Sequence, residues 1–281
     1  MIKHYFLALF VIYSAPSVAI CSGEWRLNID NTNYEYRQNK DAYIPVYLEL
    51  SSDVVNCKGP YAFITIANQK NGQLKNRKQS LTAEIVDSNA RPLSYSPDYG
   101  YRLPLSRGQQ TRFWIKVNDA RTAPAGTYSN MLDADLQLDN RFETKSKRAH
   151  IDIESFVSFK QQRNSQVVGN LNSDTYTIDL GKLESGKQYS TKFELISNAN
   201  VKLEISQKYG QLQHTKRANW YVPYSLDFNR LTISANQKFK LSNQNGLNRW
   251  LIPMNIEIGS TDFARSGYYQ DIIEIEVKAE P

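Results

Sequence analysis

Near the end of the chain Ile273, Ile275, Val277 and Ala279 alternate with Glu274, Glu276, Lys278 and Glu280. This is the period-2 pattern of a strand with one apolar and one wet face. The same layout occurs 141 residues earlier, where Leu132, Ala134, Leu136 and Leu138 alternate with Asp133, Asp135 and Gln137. Both runs follow a similar lead, Ala125-Gly-Thr-Tyr128 in the first and Ser266-Gly-Tyr-Tyr269 in the second. Further back, Phe113-Trp-Ile-Lys-Val117 aligns with Met254-Asn-Ile-Glu-Ile258 at the same offset and without a gap. A spacing this large marks duplicated domains, since solenoid repeats run about 20 to 50 residues.

Other strand-like stretches surround the repeat. Trp25 to Ile29, Tyr43 to Leu50, Tyr61 to Ala67 and Leu81 to Val86 precede its first copy. Thr175 to Leu180, Tyr189 to Ile196, Val201 to Ser206, Tyr221 to Phe228, Leu231 to Ile233 and Trp250 to Ile258 precede its second. Turn signals such as Asn71-Gly72 and Gly181 to Gly186 separate them. About seven short strands in the second half are the signature of an immunoglobulin-like sandwich. The pattern predicts an all-β chain of two tandem immunoglobulin-like β-sandwich domains, 20–154 and 155–281. Ala149 to Glu154 reads either as the last strand of the first unit or the first of the second. A length of 281 residues accommodates two units. Abundant Tyr, at 18 residues, and the lack of a heptad pattern favour short strands over helices.

The first residues carry targeting information. Lys3 precedes the apolar run Tyr5 to Tyr13, too short to span a bilayer, and Ser17-Val-Ala19 supplies a small-x-small cleavage site. A signal peptide over 1–19 is therefore predicted, with cleavage before Ile20. Bulky Ile20 ahead of Cys21 counts against a lipoprotein signal. The formal net charge of +6 is spread over both halves. No basic patch or stripe of the kind that grips nucleic acid is present.

Cys21 and Cys57 are the only cysteines. In an exported chain such a pair reads as one disulfide, closing a loop worth roughly 3 to 4 kcal/mol. Two lone cysteines, with His150 and His214 far apart, lack the ligand spacing of a zinc site. No metal or cofactor is predicted. Neither a Gly-x-Ser-x-Gly elbow nor a phosphate loop occurs, and nothing singles out a carboxylate pair among the 28 acids. No enzyme is predicted. The stretch Arg91 to Pro104 reads as a long Tyr, Pro and Gly loop, which makes Tyr95, Tyr99 and Tyr101 candidates for a binding surface. The same tyrosines can equally fold back over a sandwich end, and Tyr34 and Tyr36 compete for the role.

In order along the second half stand Gly181-x-Leu183-x-x-Gly186, Ser197-Asn198-x-Asn200, Gly210-x-Leu212, Val222-Pro-Tyr-Ser-Leu226 and Ser266-Gly-Tyr-Tyr-x-Asp271. This set resembles the spore coat protein U-like subunits of archaic chaperone-usher pili. The resemblance covers most of the second half. In the first it is confined to the cysteine pair and the last two strands, with Asn130 where the second half has Asp271.

The resemblance implies a pilin-like sandwich lacking its last strand, completed by a strand from a periplasmic pilus chaperone or from an adjacent pilin subunit. After the second copy of the repeat strand only Glu280 and Pro281 are expected to remain, whereas Ala149 to Glu154 follows the first and can complete it. Ile20-Cys21 leads straight into the first strand, leaving no segment to donate. The resulting expectation is a two-domain tip adhesin at the cell surface, handled by a chaperone and an outer-membrane usher. Its role is attachment to a surface or glycan and biofilm formation. Tyr269, Ile273, Ile275 and Val277 are the expected docking strand. Two alternatives are a periplasmic pilus chaperone, also built from two immunoglobulin-like domains, and a free-standing secreted carbohydrate-binding β-sandwich.

Overall fold

The computed structural model describes residues 23–37, 40–55, 57, 61–66, 72–105, 108–138, 141–162, 167–168, 175–234, 236–243 and 245–280. Nearly all of its regular structure is antiparallel β. The signal-peptide region and Cys21 lie outside these residues. Cys57 is disulfide-bonded.

The first half contributes β1 (Trp25–Ile29), β2 (Glu35–Tyr36), β3 (Ala42–Leu50), a short helix α1 (Ser52–Val55), β4 (Tyr61–Ile66), β5 (Gly72–Lys75) and β6 (Ser80–Asp87). It continues with β7 (Tyr95–Ser96), β8 (Gly100–Pro104), β9 (Gln110–Val117), β10 (Gly126–Leu138) and β11 (Arg141–Ile153). One ladder runs β1-β3-β9-β6-β5-β10-β4-β8-β7, with β11 beside β10. It folds over at β5, so that β1, β3, β6 and β9 face β4, β8, β10 and β11 across one core. Leu27, Ile44, Leu48, Ile64, Ile85, Phe113, Ile115 and Leu136 are fully buried in it. Their every-other-residue spacing is what turns these segments into strands, because only a pleated ribbon puts that set on one side.

The second half contributes β12 (Val157–Gln161), β13 (Val167–Val168), β14 (Thr177–Ile178), β15 (Gln188–Ser197), β16 (Asn200–Gln207), β17 (Leu212–His214) and β18 (Arg217–Val222). After these come β19 (Tyr224–Phe228), β20 (Leu231–Thr232), β21 (Gln237–Leu241), β22 (Asn248–Ile258), β23 (Tyr269–Gln270) and β24 (Ile273–Glu280). One sheet is β12-β15-β22-β19-β20 and the facing one β21-β16-β24. A separate core lies between them, drawing on Leu195, Val201, Leu203, Leu226, Phe228, Ile252 and Ile258. β17, β18 and β23 form a small side sheet, and β13 pairs β14.

The sequence repeat is a structural repeat. β9 pairs β3 and β6, while β22, its partner at the 141-residue offset, pairs β15 and β19. The turn that follows is also the same. Gly126 and Gly267 take φ of +140° and +148°, which only glycine adopts without strain. Two residues on, the Tyr128 hydroxyl donates to the Pro124 carbonyl at 3.0 Å and the Tyr269 hydroxyl to the Arg265 carbonyl at 2.9 Å. This is the tyrosine corner that opens the penultimate strand of immunoglobulin-like sandwiches.

Several sequence expectations need correction. Arg91 to Pro104 is no open loop but a hairpin of β7 and β8, with Tyr95 opposite Tyr101. Tyr221 to Phe228 is two strands in different sheets, parted at Pro223, which has no N–H to give to a ladder. The strand expected over Ala149 to Glu154 is the end of a longer one, β11, which begins at Arg141 within a polar, basic stretch.

The halves meet at a polar junction. The Ala125 N–H donates to the Asn198 carbonyl at 3.0 Å. The buried Asn198 amide donates to the carbonyls of Ala123 and Glu154 and accepts from the Phe156 N–H. A buried side chain that satisfies three backbone groups at once fixes how the connecting segment leaves the first sandwich.

Candidate functional site

The two copies of the repeat differ in what lies beside them. β10 is paired on both sides, with β4 along one edge and with β11 over all 13 residues along the other. Its inward residues Leu132, Ala134 and Leu136 are 0% exposed. β24 pairs β16 from Ile273 opposite Gln207 to Glu280 opposite Asn200. Among the described residues nothing pairs with its other edge. In an antiparallel ladder alternate residues turn their N–H and C=O away from the existing neighbour. Every second residue of β24 therefore points its backbone groups at the side where no described strand lies.

The side chains tell the same story. Ile273, Ile275, Val277 and Ala279 are only half-buried, although the core-facing Val201, Leu203 and Ile205 of β16 beside them are buried. β12 ends the facing sheet, and its Cα atoms come within 8 Å of those of β24. Val157 and Phe159 of β12 are half-buried against the same core. In the first half β11 fills the matching place. Its Ala149 and Ile151 are 0% exposed, and its Lys145 and Glu143 reach across to Trp25 of β1. Among the described residues the second half thus leaves the edges of β12 and β24 unpaired beside half-buried apolar side chains, where the first half has a strand.

The start of β24 is held by Asp271. Its carboxylate accepts from the Tyr224 hydroxyl at 2.7 Å and from the N–H groups of Tyr209 and Ile272 at 2.9 and 2.7 Å. Burial, followed by the adjacent carboxylate, pushes the Tyr224 hydroxyl well above its usual pKa, so it stays a donor. At the aligned position the Asn130 side chain accepts from the Met131 N–H in the same way. An acid and its amide serve the same backbone geometry here.

The proposed docking residues separate. Ile273, Ile275 and Val277 lie together on β24, half-buried against the second core. Tyr269 lies outside that strand, on β23, where it pairs His214 and stacks edge-on to it at 5.1 Å. Its hydroxyl is committed to the corner. Val157 and Phe159 on the opposite lip were not singled out from the sequence.

The tyrosine candidates separate too. Tyr101 is 7% exposed and belongs to the core, with Tyr95 packed edge-on against it at 5.1 Å. A buried ring offers no surface to a ligand. Tyr99 is 51% exposed and stacks on Phe63 at 5.0 Å and beside Phe142, itself 49% exposed, at 6.1 Å. Arg102 lies over the neighbouring Tyr61 ring at 4.6 Å. Phe142 is the lone aromatic in a polar, basic stretch, a signal visible in the sequence. This cluster sits by the turn of the β10–β11 hairpin, where Phe142 faces Gln137. The junction lies at the other end of that hairpin, about 37 Å away at ~3.4 Å per residue. Tyr34 and Tyr36 occupy the junction end. The Tyr34 hydroxyl donates to the Asp152 carbonyl, and Arg121 lies over Tyr36.

Among the described residues no group of three or more His, Cys, Asp or Glu is placed to hold a metal. No protein-family model and no curated protein matches the sequence. Solved structures with a similar chain path include the CsuC-CsuE chaperone-tip adhesion subunit pre-assembly complex from archaic chaperone-usher Csu pili of Acinetobacter baumannii. It is 12% identical with a TM-score of 0.42, over 88% of this chain and 93% of that one. The CupB6 tip adhesin from Pseudomonas aeruginosa is 8% identical with a TM-score of 0.41, over 92% of this chain and 95% of that one.

Proposed function

We propose that this chain is a tip adhesin of a chaperone-usher pilus, built of two domains, 20–154 and 155–281. The second domain accepts a strand from its periplasmic chaperone and afterwards from the adjacent pilin. The observation that carries this reading is the vacant edge of β24 beside half-buried Ile273, Ile275 and Val277, next to a first sandwich whose β11 fills the same place. An edge strand with open hydrogen-bonding groups and an apolar floor is the template for strand addition. The motif set that resembles spore coat protein U-like pilins supports the assignment to this kind of fibre. With its own strand in place the first domain is free for attachment. Its exposed Tyr99 and Phe142, backed by the buried Phe63 at the pole away from the junction, are the contact surface for an abiotic surface or a glycan, and attachment there promotes biofilm formation.

Periplasmic co-expression with the host's pilus chaperone tests the proposal. The expected result is a soluble one-to-one complex that Ile275→Asp abolishes. In the same cells, Tyr99→Ala combined with Phe142→Ala is expected to lower attachment severalfold while complex formation persists. A full-length protein that stays soluble and monomeric alone and ignores the chaperone contradicts the proposal.

A further inference from the structure

The first sandwich shows how its added strand is matched on the outer face as well as toward the core. Asp133 and Asp135 of β10 point outward, and β11 answers both, with the Ser146 and Thr144 hydroxyls donating to them. The 141-residue offset carries these two acids to Glu274 and Glu276 of β24, which are exposed on the outer face of the vacant-edge strand. On the occupied side the residues directly opposite do not answer them. Glu276 lies opposite Glu204 and Glu274 opposite Ser206. Like charges directly across a ladder repel. Glu204 already engages Lys202 and Lys238, Glu276 pairs Lys278 of its own strand and shares the attraction of Lys202 on β16 with Glu280, and Glu274 makes no ion pair among the described residues. With Glu280 the outer row along this edge is predominantly acidic.

Resting on the reading that β24 accepts a strand, we infer that Glu274 and Glu276 select which strand it accepts. The partner segment alternates apolar residues, directed into the cleft, with cationic residues opposite these two glutamates. Complementary charge fixes register as well as identity, because a slip of two residues moves a cation from Glu276 to Lys278. It also disfavours a second copy of this chain as the occupant, since its own β24 offers the same acidic row. The apolar floor supplies affinity and the glutamates supply discrimination.

The test uses the full chain and two 13-residue peptides with identical Ile and Val at alternate positions. Their intervening residues are Lys in one peptide and Glu in the other. The Lys peptide is expected to bind about tenfold more tightly, from two exposed cross-strand pairs set against two repulsions. The preference is expected to shrink in 1 M salt, where screening acts over only ~3 Å. Glu274→Lys with Glu276→Lys is expected to reverse the preference, and Glu274→Gln with Glu276→Gln to erase it. Equal binding of both peptides to the unaltered chain, or a preference that the charge reversal leaves unchanged, overturns the role of these glutamates while strand acceptance stands. Binding of neither peptide overturns the acceptance reading itself. Concentration-dependent dimers that exclude both peptides overturn it in favour of a second copy.

Discussion

Ile151→Asp is expected to unfold the first sandwich while leaving the second folded. Ile151 is fully buried on β11 and lies opposite Tyr128, whose ring is also fully buried. A carboxylate there has no partner. Burying such a group costs several kcal/mol, and a loss of about 4 kcal/mol or more is comparable to the whole stability of a small domain. The damage spreads because among the described residues β11 alone lies along that edge of β10: once it leaves, Leu132, Ala134 and Leu136 lose the cover that their half-buried counterparts on β24 lack. Two calorimetric transitions are expected in the parent and one in the variant. Ile275→Asp in the isolated chain is expected to cost far less, because Ile275 is already half-exposed. Equal losses from the two substitutions contradict the contrast between a filled and a vacant edge.

A strand tethered after Pro281 by a short flexible linker is expected to stabilise the second sandwich strongly. The tether sets an effective concentration in the millimolar range. A segment of micromolar affinity then occupies the cleft about a thousandfold above its Kd, worth about 4 kcal/mol. At roughly 3 to 4 °C per kcal/mol for a unit of this size, the second transition rises by on the order of 15 °C. The gain comes from apolar area on Val157, Phe159, Ile273, Ile275 and Val277 that the chain alone leaves half-covered. A scrambled tether with the same composition is expected to give none of it. If both tethers raise the transition equally, the effect is not strand addition.

The repeat was the most legible feature, for a physical reason. Its signature residues are fixed by the turn: Gly126 and Gly267 hold positive φ, and Tyr128 and Tyr269 tie that turn to the strand, so the pattern stays visible when the surrounding strands diverge. Alternation likewise marked strands with one buried and one wet face, such as β15 and β24. It was silent where a strand has no apolar face. The first half of β11 covers Trp25 with Glu143 and Lys145 rather than with aliphatic residues, so its sequence reads as a polar loop. Exposure within the tyrosine-rich stretch was also beyond a single sequence. Tyr99 and Tyr101 are two residues apart, but Tyr101 is on β8 facing the core and Tyr99 is in the hairpin turn. The far lip of the cleft escaped for a related reason: Val157 and Phe159 are brought to β24 by the packing of two sheets, a relation that no spacing along the chain encodes.

Amide hydrogen exchange on the full-length protein tests the vacant edge most directly. In β10 both edges are paired, so its central amides should all exchange slowly. In β24 the amides bonded to β16 should be protected and the intervening ones should exchange fast, until a complementary strand is supplied and slows them. Uniformly slow exchange along β24 in the protein alone would mean that its outer edge is already covered, and the strand-accepting account would fail.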